Sequence, residues 1–373
     1  MKKKILFFTG TRADFGKIKN IIREIKISGK FTIKIAVSGM HMLNQFGLTY
    51  KEVEKSFGKK IYKFKNQNFG DNLDNILSNT VNKFSKIVKE FKPNLIVYHG
   101  DRIETLACAI VGSTNHILTA HLEGGEISGS IDDSIRHAVT KLSHTHFVGN
   151  EKAKKRVTKM GEQKKNIFIV GSADSDTILS KKLPSLNYVK KRYDIGFDKY
   201  AIILWHPVTS ELKKLQNQTE DLINFINNYN LNFVVIYSNN DPGTKIIINN
   251  YKKKLVKKKT KLLKSMRFES FLSLLKNAKF IIGNSSSGIY EAPLLGVPCI
   301  NVGNRQHKRV KSTSIKNIQI NELNEQKIKS FLQSFKKSNK IIYGKGNTAK
   351  KILNILKNKN FWKISNQKYF IEN

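Results

Sequence analysis

The sequence predicts an α/β protein made of two Rossmann-like, doubly wound domains. Three features point there. The chain has 373 residues, more than one ordinary domain core requires. Short apolar runs ending in Gly, Ser or His alternate with amphipathic stretches, the pattern of repeated βα units around a parallel sheet. That alternation stops at a polar, helix-prone connection holding Pro184 and then resumes.

Taken in order, the strands expected in a first domain, residues 1–170, are KILFFT (4–9), FTIKIAVS (31–38), NLIVYHG (94–100), HILTAHL (116–122), THFVG (145–149) and NIFIVG (166–171). A second domain, residues 171–345, follows with YAIILWHP (200–207), NFVVIYSN (232–239), the weaker TKLLKS (260–265), KFIIGNS (279–285) and PCINVG (298–303). Residues 346–373 read as an amphipathic helix and an aromatic tail that packs back across the domains. Sheets of this kind bind ligands beyond the carboxyl ends of their strands, and two in tandem predict a cleft between them. Polar residues directly after strands are therefore the site candidates.

Composition narrows the function classes. The 67 Lys+Arg against 28 Asp+Glu give a formal charge of +39, which suits an acidic partner or a nucleotide substrate. The lysines are scattered, and Gly-rich or aromatic-basic RNA-binding patches are missing, so nucleic acid is not the expected partner. Two cysteines, Cys108 and Cys299, make neither a disulfide framework nor a Cys-rich zinc site, which fits a reducing compartment, the cytoplasm. The opening apolar run, Ile5 to Phe8, is too short for a signal peptide, and no stretch reaches membrane-spanning length.

The stretch IIGNSSSGIYEAP (281–293) passes from a strand into a helical pattern, placing Ser285, Ser286, Ser287 and Gly288 at an expected helix N-terminus. Free backbone N–H groups and small side chains there suit a phosphate, and Glu291, one turn on, suits a ribose diol. The plainer alternative is that Ser286 is an N-cap and Glu291 an ordinary first-turn acid. After the first strand, FTGTRADFG puts Arg12 where its fork reaches a pyrophosphate. HGDR (99–102) supplies Asp101, as an acid/base group or as a helix cap, and HLEGGE (121–126) supplies His121 and Glu123. Asp132, Asp133, Arg136 and His137 follow on the next helical pattern. Alternation along a strand would put His99 with Asp101 and His121 with Glu123, but no further ligand-rich motif completes a metal site; carboxylates for proton transfer explain the acids better. His206 ends a strand of the second domain, and Arg305 or Arg309 either closes over a nucleotide or is a surface charge. No metal or cofactor is called for.

The set GTRADFGK, SGMHML, HGDR, HLEGGE, DDSIRH, WHPVT, NSSSGIYEAP and GNRQ, in this order over residues 3 to about 310, resembles the UDP-N-acetylglucosamine 2-epimerase family, nearest to its hydrolysing branch. The resemblance implies a glycosyltransferase-B-like architecture with the nucleotide held by the second domain, and a homodimer. It also implies roles: Arg12 on the diphosphate, Asp101, Glu123 and Asp132 as acid/base carboxylates, and His206 near the departing phosphate. Ser286 and Ser287 would hold phosphate, Glu291 the ribose, and Arg136 the substrate. Many non-hydrolysing relatives carry a glutamate pair where this chain has Asp132 and Asp133, leaving open which aspartate acts. A 2,4-diacetamido-trideoxyhexose on UDP or GDP is the alternative substrate, and a glycosyltransferase of the same architecture is the rival activity.

Overall fold

Side-chain alternation along β1 (Lys3–Thr9) organises the first sheet: Ile5 and Phe7 enter one apolar layer, Leu6 and Phe8 the other. A strand buried on both faces reads as a continuous apolar run and belongs in the middle of a parallel sheet covered by helices. The structure, a computed structural model, describes residues 1–180, 182–307, 309, 312–337, 344, 346–369 and 371.

The remaining strands of this sheet are β2 (Phe31–Val37), β3 (Tyr62–Lys63), β4 (Leu95–His99), β5 (Leu118–Leu122), β6 (Thr145–Val148) and β7 (Ile167–Ile169). They pair in the order β3-β2-β1-β4-β5-β6-β7, all parallel. The order reverses at β1, whose neighbours are β2 and β4, and such a switch point is where doubly wound sheets open a crevice at their carboxyl ends. Helix Arg12–Ile27 starts there, with the Thr11 hydroxyl accepting the Asp14 N–H at 3.1 Å.

The second sheet repeats the plan. Its strands are β8 (Tyr200–Leu204), β9 (Asn232–Ile236), β10 (Thr260–Leu263), β11 (Ile281–Gly283), β12 (Cys299–Val302) and β13 (Ile315–Ile318). They run parallel in the order β10-β9-β8-β11-β12-β13, with the switch at β8. Phe233, Phe280, Ile282 and Ile300 centre its core.

The chain divides into one unit of Met1–Glu126, Asp132–Ser180 and Ile342–Asn373, and a second of Ile127–Ile131 and Lys181–Ile341. The first extends past residue 170 because Asp176, on the short helix Ala173–Ile178, accepts the Thr348 and Ala349 N–H groups at 2.8 and 2.7 Å. Two carboxylate oxygens thus cap the amphipathic helix Thr348–Lys357, which inserts Ala349, Ile352, Leu353 and Leu356 into the apolar layer containing Phe15 and Ile22. This C-terminal helix is part of the first unit's core. Residues 127–131 belong to the second unit, where Gly129 donates to the Arg305 carbonyl at 3.1 Å and Arg309 Nε to that of Ile127 at 2.9 Å. Among the described residues no helix is long and apolar enough to cross a membrane.

Gly283 ends β11 at φ +136°, and a Cβ built there would lie 2.0 Å from the Leu204 carbonyl oxygen of β8. Gly283→Ala should destabilise the protein by about 3 kcal/mol, read as a lowered urea midpoint, through combined backbone strain and overpacking.

Candidate active site

The carboxyl ends of β1, β4, β5 and β7 bring together a chain of charges within the first unit. Lys17 lies one helical turn beyond Asp14 on the helix that starts after β1, so both face the same way. His99 is the last residue of β4, and Gly100 after it turns the chain at φ +77°. Glu123 follows β5 at φ +66°, an unusual conformation for a residue with a Cβ. His99 Nε2 lies 3.0 Å from Glu123 Oε2, and its Nδ1 lies 3.6 Å from Asp14. Lys17 Nζ stands 3.5 Å from Glu123 and 3.0 Å from Asp174, and Ser172 Oγ donates to Glu123 Oε1 at 2.7 Å. The order is Asp14, His99, Glu123, Lys17, Asp174, alternating in sign.

Burial alone would neutralise these groups. Burial opposes the charge on His99, but Glu123 and Asp14 more than offset it and push its pKa up to about 9. Burial likewise favours the neutral form of Glu123, yet Lys17 and His99 hold its carboxyl well below the usual range. Asp174 is different. Burial, with the Glu123 charge, outweighs Lys17 and raises its pKa. Around neutrality the cluster therefore holds an imidazolium, an ionised Glu123 and a carboxyl that takes a proton more readily than an ordinary aspartate.

Next to it, the buried Arg136 guanidinium bonds the Asp101 carboxylate, Asp133 at 2.9 Å and the Glu126 carbonyl at 3.2 Å. Asp101 is thus held by an arginine from helix Ile131–Leu142. His137 stands 3.4 Å from Asp133, and Asp132 is half-buried on the same first turn. Arg12 pairs through Nε with Glu52 at 3.2 Å.

The strand-face pairing expected for the histidines does not occur. β4 and β5 end before Asp101 and Glu123, so alternation stops, and His99 meets Glu123 across strands. His121 Nε2 instead donates to the Gly100 carbonyl at 2.8 Å, with Nδ1 3.2 Å from the Thr140 hydroxyl, and burial pushes its pKa down to about 3. It is a neutral strut. His41, from SGMHML, is another: its nitrogens lie 3.0 and 2.6 Å from the Thr9 and Thr49 hydroxyls, and burial pushes it down to about 4.

In the second unit Asn284 joins the ends of β8 and β11. Its side chain accepts the His206 N–H at 2.7 Å and donates to the His206 carbonyl at 2.8 Å. His206 Nδ1 accepts the Asn239 N–H at 3.2 Å, so the other ring nitrogen, Nε2, carries the hydrogen. The helix expected to begin at residues 285–288 is broken: Ser286–Gly288 form a 3-10 turn, and a five-residue helix, Glu291–Leu295, follows Tyr290. Gly296 stops the second piece in the left-handed region at φ +70°, and a helix that short has little dipole. Ser285 Oγ accepts the Ser287 N–H at 3.3 Å, so the capping serine is Ser285 where the plainer alternative expects Ser286, while all three serines stay partly exposed. Gly288 has a packing reason to be glycine, since a Cβ there would lie 2.5 Å from Cys299 Sγ. Glu291 is buried. Arg305 Nη1 and Gln306 donate to the Asn284 carbonyl at 3.2 and 2.8 Å, and Arg309 stacks on Tyr290 at 5.3 Å, so neither arginine is a loose surface charge.

A family model described as UDP-N-acetylglucosamine 2-epimerase matches residues 23–357, most of the chain. The chain belongs to the UDP-N-acetylglucosamine 2-epimerase family. Among its relatives, a UDP-N-acetylglucosamine 2-epimerase of Neisseria meningitidis serogroup B is 44% identical over 84% of this chain and 83% of its own. A GDP/UDP-N,N'-diacetylbacillosamine 2-epimerase (hydrolyzing) of Campylobacter jejuni is 35% identical over 87% and 86%. In fold, the chain is similar to the Methanocaldococcus jannaschii UDP-GlcNAc 2-epimerase solved with UDP-GlcNAc and UDP, at a TM-score of 0.79 and 22% identity over 95% of this chain and 99% of that one. The expected glycosyltransferase-B-like class, two parallel-sheet α/β domains, is thus the architecture of this 2-epimerase family member.

Sequence reasoning passed over Lys17, Asp174 and Asn284 as site residues. Each carried a usable signal. Lys17 is three residues after Asp14 on one helix, Asp174 lies in the first turn of the helix that comes after β7, and Asn284 follows directly after β11. The sign of the His99 shift has a consequence for stability: protonation stabilises the fold fully below the unfolded pKa, and this contribution is lost as pH rises through about 9. A ring-proton NMR titration should place the His99 midpoint near 9, and Glu123→Gln should lower it by roughly one unit or more.

Proposed function

We propose that this protein is a hydrolysing UDP-N-acetylglucosamine 2-epimerase, converting UDP-N-acetylglucosamine and water to N-acetylmannosamine and UDP for sialic acid synthesis. The observation that supports it best is the gathering of ionisable groups at the strand ends of the first unit, where Glu123 lies 3.0 Å from His99 and 3.5 Å from Lys17: acids and bases collected at the carboxyl edge of a doubly wound sheet are what proton transfer at a sugar carbon needs. In the first step a carboxylate takes the proton from C2 of the sugar. Electrons of that C–H bond form the C1=C2 double bond of a glycal, and the C1–O bond breaks to release UDP. Water then adds its hydroxyl to C1 while C2 is protonated on the opposite face, giving the manno configuration.

Proton transfers are assigned to Asp101, Glu123 and Asp132, with Arg136 fixing Asp101. His206, through its Nε2 hydrogen, and Arg12 stabilise charge on the departing diphosphate. Ser285, Ser286, Ser287 and Gly288 offer hydroxyls and turn N–H groups to phosphate, and Glu291 accepts from the ribose hydroxyls. The reading includes a cytoplasmic homodimer, consistent with the free, buried Cys108 and Cys299. A second reading, the same chemistry on a 2,4-diacetamido-trideoxyhexose linked to UDP or GDP, is favoured by the 35% identical Campylobacter relative.

Incubation in D₂O with UDP-N-acetylglucosamine, its 2,4-diacetamido counterpart and the GDP analogues, followed by NMR, tests both. The expected outcome is free N-acetylmannosamine carrying deuterium at C2, with UDP. Release of only the diacetamido sugar selects the second reading, and accumulation of UDP-N-acetylmannosamine without free sugar refutes hydrolysis. Glu123→Gln should lower turnover by roughly 10²-fold or more.

A further inference from the structure

The tail after helix Thr348–Lys357 carries a cation that the proposed chemistry does not use. Lys368 Nζ donates to the Lys141 and Ser143 carbonyls at 2.6 Å each, approaches the Thr140 carbonyl at 3.4 Å, and pairs with Glu162 at 2.6 Å. Thr140 and Lys141 lie in the last turn of helix Ile131–Leu142, and Ser143 directly follows it. The last carbonyls of a helix have no partners within it, and a cation there complements the negative end of the dipole. No glycine follows this helix to turn the chain back on itself; Ser143 and His144 come next.

The tail that delivers the lysine is itself fastened. His144 Nε2 donates to the Asn366 carbonyl at 2.9 Å, and Asn366 Nδ2 donates to the His116 carbonyl at 2.8 Å. Glu162, the acid beneath Lys368, also meets His146 Nε2 and Lys141 Nζ, both at 3.0 Å. These contacts lie at the amino-terminal edge of β5 and β6, away from Glu123. The helix runs antiparallel to those strands, so its far end carries Asp133 and Arg136, and Arg136 holds Asp101. From Lys141 to Asp133 is eight residues, about 12 Å of rigid helix.

We propose that Lys368 is a positioning residue for the reaction, gripping the C-terminal end of helix Ile131–Leu142 so that Arg136 and Asp133 at its other end stay aligned with Asp101. It touches no reacting atom. The inference rests on the function proposed above for Asp101 and its neighbours, and it predicts an effect on turnover without one on nucleotide affinity, since the lysine's partners among the described residues, Thr140, Lys141, Ser143 and Glu162, all belong to the first unit.

The test uses the full chain with Lys368→Met and Lys368→Arg, assayed where circular dichroism shows each fully folded. For Lys368→Met, kcat for UDP release should fall roughly three- to tenfold, with KM, UDP affinity and UDP stoichiometry unchanged. Amide exchange in residues 132–137 should quicken, and Lys368→Arg, which keeps the charge, should stay within about twofold of the native kcat. A folded Lys368→Met with native kcat and native exchange overturns the proposal, as does a rise in KM that accounts for the loss, or Lys368→Arg falling as far as Met. Should Lys368→Met not fold, Asn366→Ala, which loosens the tail and removes no charge, is read by the same measures. If the native protein releases no UDP from any sugar nucleotide, the functional reading fails by itself, and the exchange measurement still decides whether the lysine orders the helix.

Discussion

Everything at the carboxyl edge of the first sheet depends on the contact between His99 and Glu123. Two ionisable groups taken out of water each favour neutrality; Glu123, 3.0 Å away, keeps the imidazole charged, and Lys17 together with that imidazolium keeps Glu123 ionised. Asp14 steadies the imidazolium from one side and Lys17 the carboxylate from the other, so the unit buries charge as an alternating string in which no member stands alone. The left-handed backbone at Glu123 belongs to the same arrangement. It carries the side chain off the strand's alternating faces and toward β4, where the imidazole is.

The second unit solves a different problem. Two strands must come so close that Gly283 cannot carry a side chain, and their ends must still present polar groups. Asn284 meets both needs by bonding the main chain of His206 in both directions, while its own carbonyl is taken by Arg305 and Gln306. Residues that looked like ligand contacts because they follow strands are, in part, the fasteners of the frame that holds the ligand contacts.

Legibility follows the physics. Eleven strands announce themselves in the sequence because parallel strands buried on both faces are written as apolar runs; β3 and β13 do not, being an edge pair of residues, Tyr62–Lys63, and a strand with exposed Lys316 and Asn317 at its centre. Candidate acids could be found by the rule that polar residues after strands line sites. Their partners could not be assigned by it. Alternation predicts that His121 and Glu123 share a face only while the strand lasts, and β5 stops at Leu122, leaving His121 to brace Gly100. Nor does local sequence reveal that Ser286–Gly288 form a turn separate from the helix Glu291–Leu295.

The helix Thr348–Lys357 lies in the same apolar layer as the first strand of the chain. During synthesis the amino-terminal sheet emerges early, while this element appears only after the entire second unit has been translated. Until then Ala349, Ile352, Leu353, Leu356 and Phe361 are missing from that layer. The first unit to leave the ribosome therefore cannot close its apolar layer until the second has been made.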